Sequence, residues 1–215
     1  MTSKILATGS KGNAVLLDGR ILIDCGVPYK TLEPYLYDIC LVLLTHAHSD
    51  HFNESTIRKL HRRRPVLRFA CCANVAPRLA QLVNPSRMVL LEPEKDQYFR
   101  GICTVKPFSL IHDVENYGYI VSNGNKTALY ATDTQYIPIS APNLDLYMVE
   151  ANYGTEEIQQ RIQAKAARGE FSYESRVLAT HMSQETACHW LNENADPLKS
   201  RIVFLHQHIP EDLEV

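Results

Sequence analysis

Short β-rich runs alternating with helical ones along both halves of the chain predict a layered α/β fold. Two further observations support it. Residues 39–44 form an unbroken apolar run of strand length, as expected of a strand covered on both faces. Asp18-Gly19 and Asn123-Gly124 are tight-turn dipeptides set between β-rich runs.

In chain order, residues 4–8, 14–17 and 20–24 read as strands, the last two forming a hairpin through Asp18-Gly19. The run 39–44 is the next strand and ends directly on a group of histidines. Asn53 is placed to cap a helix over 54–63, whose basic residues gather where the helix dipole favours them, and Pro65 stops it. A strand at 66–70, a helix near 74–82 and strands at 88–91, 102–110, 117–122 and 127–131 follow. The second half holds a strand at 144–150, a polar helix at 155–168 and a strand at 176–179. A helix from a Ser183 cap to about 194 and a strand at 202–205 complete it. With no internal repeat, low-complexity stretch or linker, residues 1–215 are expected to form a single domain, with a short helical segment at about 153–174.

The 215 residues are 45% hydrophobic and 21% charged, ordinary for a globular enzyme with a substantial core. The formal net charge of −2 excludes a global basic field, so any nucleic-acid contact must come from a local patch. None of the six cysteines forms a C-x-x-C pair, and most lie in apolar runs, where a reduced thiol behaves as a small hydrophobe. A reducing, cytoplasmic location is expected, without a membrane span or signal peptide. Nothing in the sequence sets the oligomeric state.

The strongest signal is Thr45-His46-Ala-His48-Ser-Asp50-His51. At the chain's own composition a chance match to this pattern is on the order of one in a thousand, so it is treated as specific. A tight loop leaving a buried strand can turn His46 and His48 toward one metal ion while Asp50 and His51 face a second. Imidazole and carboxylate suit Zn²⁺, and equally Mn²⁺ or Fe²⁺.

This motif resembles the signature of the metallo-β-lactamase superfamily, and further pieces recur in the family's order over nearly the whole chain. The resemblance implies a four-layered αββα sandwich and a hydrolase with two divalent metal ions. Asp24 resembles the aspartate that supports the histidine loop; His112 resembles the histidine that completes the first metal site. Asp133 resembles the aspartate that bridges both metals, and His206 the last ligand. His208 competes with His206, because two positions along a strand share one side. Two dications about 3.5–4 Å apart repel by roughly 18 kcal/mol at an effective dielectric of 20, which a bridging carboxylate and hydroxide would offset. That hydroxide would be the nucleophile.

The Asp133 bridge is unlike the β-lactamase branch itself, which uses a cysteine in its second site. Three features resemble the nucleic-acid-processing branch, in particular its short bacterial and phage exonuclease-like members: Gly9-Ser10-Lys-Gly12-Asn13, Glu150-Ala-Asn152 and His181-Met-Ser183. The family pairs such a glutamate with such a histidine, implying that Glu150 and His181 act with Asp50 in catalysis. A carboxylate beside an imidazole raises the latter's pKa and keeps it protonated as an acid. The chain departs from the larger RNA-cleaving relatives in having no room for an inserted domain, and Gln184 follows Ser183 where asparagine is usual. Arg161, Lys165 and Arg168 share one helical face and, with 62–64, offer a place for a phosphate backbone. Tyr136, Tyr153 and Tyr173 are candidate stacking residues or packing residues.

The leading expectation is a phosphodiesterase acting on nucleic acid, single-stranded DNA or RNA, with 5′-exonuclease character implied by the resemblance alone. A small-molecule hydrolase, cleaving a cyclic nucleotide, thioester or similar ester, is the second, and a metal-stabilised scaffold the third. A basic groove would favour the first of these, a closed pocket the second.

Overall fold

Two six-stranded sheets, stacked face to face, make up the centre of the chain in a computed structural model that describes residues 1–207. The first sheet holds β1 (Ser3–Ala7), β2 (Ala14–Leu17), β3 (Ile21–Ile23), β4 (Leu41–Leu44), β5 (Arg68–Cys71) and β6 (Met88–Leu90), in that spatial order. Its first three strands are antiparallel, and β3 to β6 run parallel. Asp18 and Gly19, both at positive φ (48° and 64°), make the turn that matches strand twist between β2 and β3.

The second sheet reads β12 (Arg201–Leu205), β11 (Leu146–Glu150), β10 (Thr127–Ala131), β9 (Asn116–Ser122), β8 (Cys103–Leu110), β7 (Gln97–Phe99). Its side chains alternate cleanly. Ala128, Tyr130, Leu146 and Met148 face the core shared with the first sheet, while Leu129, Ala131, Tyr147 and Val149 face an outer cluster.

Among the described residues there are six α-helices: α1 (Tyr29–Leu32), α2 (Glu54–Arg63), α3 (Ala76–Leu79), α4 (Thr155–Ala167), α5 (Glu174–Thr180) and α6 (Gln184–Asn194). Ile57 and Leu60 of α2 enter the central core, whereas Ala187 and Leu191 of α6 cover the outer face of the second sheet. Helix, sheet, sheet and helix are therefore stacked in the four-layered metallo-β-lactamase arrangement. Asn53 caps α2 by accepting from Thr56 N at 3.1 Å, an interaction worth about 1 kcal/mol.

Two expectations are corrected. The segment 176–179 is helical, within α5, which packs against α4 rather than joining either sheet. A short run such as Val177-Leu178 fits either period, and Glu174 in the first turn favours the helix. The helix expected near 74–82 is a single turn, α3, followed by hydrogen-bonded turns to Val83.

The N-terminus of α4 has no cap of its own; instead Glu185 of α6 accepts from Thr155 N at 3.1 Å and Thr155 Oγ1 at 2.7 Å. The Thr155 hydroxyl bond leads the effects that hold the Glu185 carboxyl down at about 2. A depressed acid stabilises the fold above its unfolded pKa, about 4.3, and that contribution fades as pH falls from there toward 2. Glu185→Ala is therefore expected to lower stability by roughly 0.5–1 kcal/mol at neutral pH. The difference from wild type should vanish in thermal melts near pH 2.

Among the described residues, no helix is long and apolar enough to cross a membrane. All six cysteines are free thiols, four of them buried.

Candidate metal centre and active site

Strands β4, β8, β10, β11 and β12 all deliver their carboxyl ends to one edge of the sandwich, where ligand sites of layered α/β folds form. His46 lies two residues beyond β4, His112 two beyond β8 and Asp133 two beyond β10; Glu150 ends β11 and His206 directly follows β12. His181 closes α5. The register Glu150↔Leu205 sets His206 just past Glu150.

Three groups of ligand atoms form there, each with its atoms within 4.8 Å of one another: His46, His48 and His112; His46, His51 and Asp133; and Asp133, Glu150, His181 and His206. In the first, His48 Nδ1 lies 3.2 Å from His46 Nε2 and 3.3 Å from His112 Nε2. In the second, His51 Nε2 lies 3.0 Å from Asp133 Oδ2. In the third, Glu150 Oε1 lies 2.6 Å from His181 Nδ1 and 3.0 Å from His206 Nδ1. Asp133 belongs to two groups and so stands between them. Asp50 joins none of the three, although its Oδ2 lies 3.6 Å from His51 Nε2.

The rings are aimed from behind. His51 Nδ1 is held by Asp24 Oδ2 at 2.7 Å, His46 Nδ1 by Thr45 Oγ1 at 3.0 Å, and His112 Nδ1 donates to Thr180 O at 3.1 Å. In each case Nε2 is left to face the site, the arrangement by which outer partners orient metal ligands. His48 is turned the other way, with Nε2 at 3.4 Å from Asp113 Oδ1. Asn116 Nδ2 donates to the carbonyls of Thr132 (2.9 Å) and Asp133 (2.7 Å), holding Asp133 at a φ of 55°. Asp24, Asp133 and His206 are all non-glycine residues at positive φ, strain of a kind that collects at functional sites.

Gly26 allows the histidine loop its position: a Cβ there would lie 1.6 Å from the Asp50 carbonyl oxygen and 2.8 Å from His51 N. The backbone bond Cys25 N to His51 O, 2.9 Å, ties the same two segments. Gly26→Ala must push this loop out of place. It is expected to cost about 3 kcal/mol, the upper end of ordinary overpacking, and to lower bound metal per chain, read by thermal unfolding and elemental analysis.

Burial, reinforced by the charge of His51, holds the His46 pKa well below its ordinary value, and burial likewise lowers His112. For Asp133, burial acts upward but His51 and His206 outweigh it, leaving the carboxyl well below the usual range. For His51 burial acts downward, and Asp133 and Asp24 more than reverse it. The pocket thus combines two imidazoles that resist protonation, His46 and His112, with the ionised Asp133, whose field draws in positive charge. Borderline nitrogen and hard oxygen donors gathered this closely, with their orienting partners in place, fit divalent cations.

The metal-ligand and catalytic candidates His46, His48, His51, His112, Asp133, Glu150, His181 and His206 meet at this edge, with Asp50 at its rim; His208 falls outside the described residues. Three supporting residues were not anticipated. Asp113 is next to His112 in sequence, and an acid beside a ligand histidine was a usable sign. Asn116 and Arg176 left none, since their partners come from distant elements. On the basic face of α4, Arg161, Lys165 and Arg168 pair with Glu157, Glu174 and Glu170. Tyr136 and Tyr173 are about half exposed, 47% and 48%.

Residues 19–207 match the family described as the beta-lactamase superfamily domain. Exodeoxyribonuclease YycJ of Bacillus anthracis is 24% identical over 200 residues, covering 85% of this chain and 73% of that protein. The metallo-β-lactamase fold protein YhfI from Bacillus subtilis superposes with a TM-score of 0.73 at 19% identity, over 98% of this chain and 88% of that one. Human tRNase Z, short form (ELAC1), gives a TM-score of 0.68 at 17% identity, over 96% and 93%. The two superpositions are likenesses of fold.

Proposed function

The chain belongs to the β-lactamase superfamily and is a hydrolase of the metallo-β-lactamase fold, and on that premise we propose that it is a two-metal phosphodiesterase that digests single-stranded DNA from its 5′ end. The observation that carries this reading is the Glu150–His181 pair, 2.6 Å apart and with His181 Nδ1 3.7 Å from Asp133 Oδ1. Its relation to an exodeoxyribonuclease over most of the chain supports DNA as the polymer.

His46, His48 and His112 would hold one divalent ion, and Asp50, His51, Asp133 and His206 a second. Zn²⁺ or Mn²⁺, with Fe²⁺ as a further candidate, supplies when bound a water of lowered pKa and positive charge opposite the phosphoryl oxygens. Glu150 accepts a hydrogen bond from His181 Nδ1–H, which leaves the ring's Nε2–H to give its proton to the departing oxygen as the P–O bond breaks. Asn152 steadies the far side by donating to His206 O at 2.9 Å. The free thiols support a reducing, cytoplasmic setting.

A long polymer suits the open rim, where the side chains of His48 and Asp50 are 32% and 24% exposed. Purified protein with added Mn²⁺ or Zn²⁺, given end-labelled single- and double-stranded DNA and RNA, tests the reading, with Asp50→Ala as the contamination control. Metal-dependent shortening from the 5′ end, absent in the variant, is the expected result. Metal-loaded protein that cleaves none of these polymers would move the assignment to a small phosphoester or thioester.

A further inference from the structure

Arg176 is an exposed cation tied to the metal-ligand histidines through a single carboxylate. Its Nη2 donates to Asp113 Oδ2 at 2.6 Å, while Asp113 Oδ1 lies 3.4 Å from His48 Nε2 and 3.2 Å from His112 Nε2. The guanidinium is thus one carboxylate away from the first ligand group, yet its side chain is 72% exposed. An exposed ion pair contributes little stability. What it does here is aim a fork of five N–H donors, most of them facing solvent, over the rim of the site.

The helix that carries Arg176 is fixed with respect to the same site. Thr180, one turn further along α5, donates its hydroxyl to Arg176's own carbonyl and receives the His112 Nδ1 bond on its carbonyl. Gln135, two residues past Asp133, donates to the Ala179 carbonyl, and the next residue after Thr180 is His181. Arg176 therefore stands at a set distance from the histidine pair and from the acid, rather than on a loose surface loop. Planar guanidinium forks match phosphate oxygens two at a time.

We infer that Arg176 grips the phosphate next to the scissile one and makes the enzyme favour a polynucleotide over an isolated phosphodiester. This deepens the nuclease reading and rests on it. Asp113 keeps one edge of the guanidinium and holds it in place, and the polymer's phosphate takes the other.

The test compares wild type, Arg176→Gln and Arg176→Lys, each with its metal content measured, on a single-stranded DNA oligonucleotide and on bis(p-nitrophenyl) phosphate. For Arg176→Gln the KM for the oligonucleotide is expected to rise about 10- to 100-fold, with the rise at least tenfold larger than on the small diester. The slope of log(kcat/KM) against log salt should become shallower by about 0.7, the value for one lost single-strand phosphate contact. Arg176→Lys should restore the slope but only part of the KM. An unchanged oligonucleotide KM, or equal losses on both substrates with metal lost, would overturn the inference while leaving the nuclease reading intact. A wild-type enzyme that cleaves the small diester and no oligonucleotide would remove both.

Discussion

Replacing Asp133 by asparagine is expected to lower hydrolysis by at least ~10³-fold, equivalent to about 4 kcal/mol of lost transition-state stabilisation. Asparagine keeps the shape and tolerates the left-handed backbone that Asp133 adopts at φ 55°. The Asn116 bonds to the Thr132 and Asp133 carbonyls do not depend on the carboxylate and should survive. What is removed is the charge that faces His51 at 3.0 Å and His206 at 3.6 Å, in the residue shared by two ligand groups. Elemental analysis should show fewer than two metal ions per chain, with circular dichroism unchanged. Full metal loading together with a wild-type rate would sink the shared-ligand assignment.

His181→Ala is the second large effect: kcat on DNA should fall by about 10²–10⁴, the usual span for a lost general acid. On bis(p-nitrophenyl) phosphate, whose leaving group departs without a proton, the loss should be far smaller. That difference between leaving groups separates proton donation from a structural role. It also decides between two uses of the same side chain, because His181 lies with Asp133, Glu150 and His206 in a group able to hold a cation. If His181 were a ligand, the variant would bind less metal and lose activity equally on both substrates. Glu150→Gln should behave as a milder His181 variant, about 10- to 100-fold. Its carboxylate fixes the ring through Nδ1 and also receives Thr134 N at 2.9 Å beside Asp133.

Comparing Asp24 with Asp113 shows how far local sequence reaches into a site. Asp24 could be recognised because it belongs to a short turn motif, and the structure sets it 2.7 Å from His51 Nδ1. Asp113 was adjacent to a recognised histidine and still passed over, because its partners are His48 and Arg176, the latter 63 positions away. Contacts of that span depend on how two sheets pack, which no local pattern encodes.

The same division runs through the fold. Sequence by itself was sufficient for α2 and its Asn53 cap, for the turn at Asp18-Gly19 and for the buried strand leading into His46, since capping, positive φ and apolar runs act over a few residues. It also picked out histidines and acids that, Asp50 apart, the structure gathers into three groups, the His46–His51 run from its spacing and His112, Asp133 and His206 from a family resemblance. Tertiary structure alone decided that 176–179 is helical, because a short apolar run fits either period and its packing against α4 decides between them. It alone set His206 beside Glu150, through the pairing of β12 with β11. And it alone brought Arg176 to the rim, since a surface arginine gains a role only from the carboxylate that holds it and the histidines which that carboxylate touches.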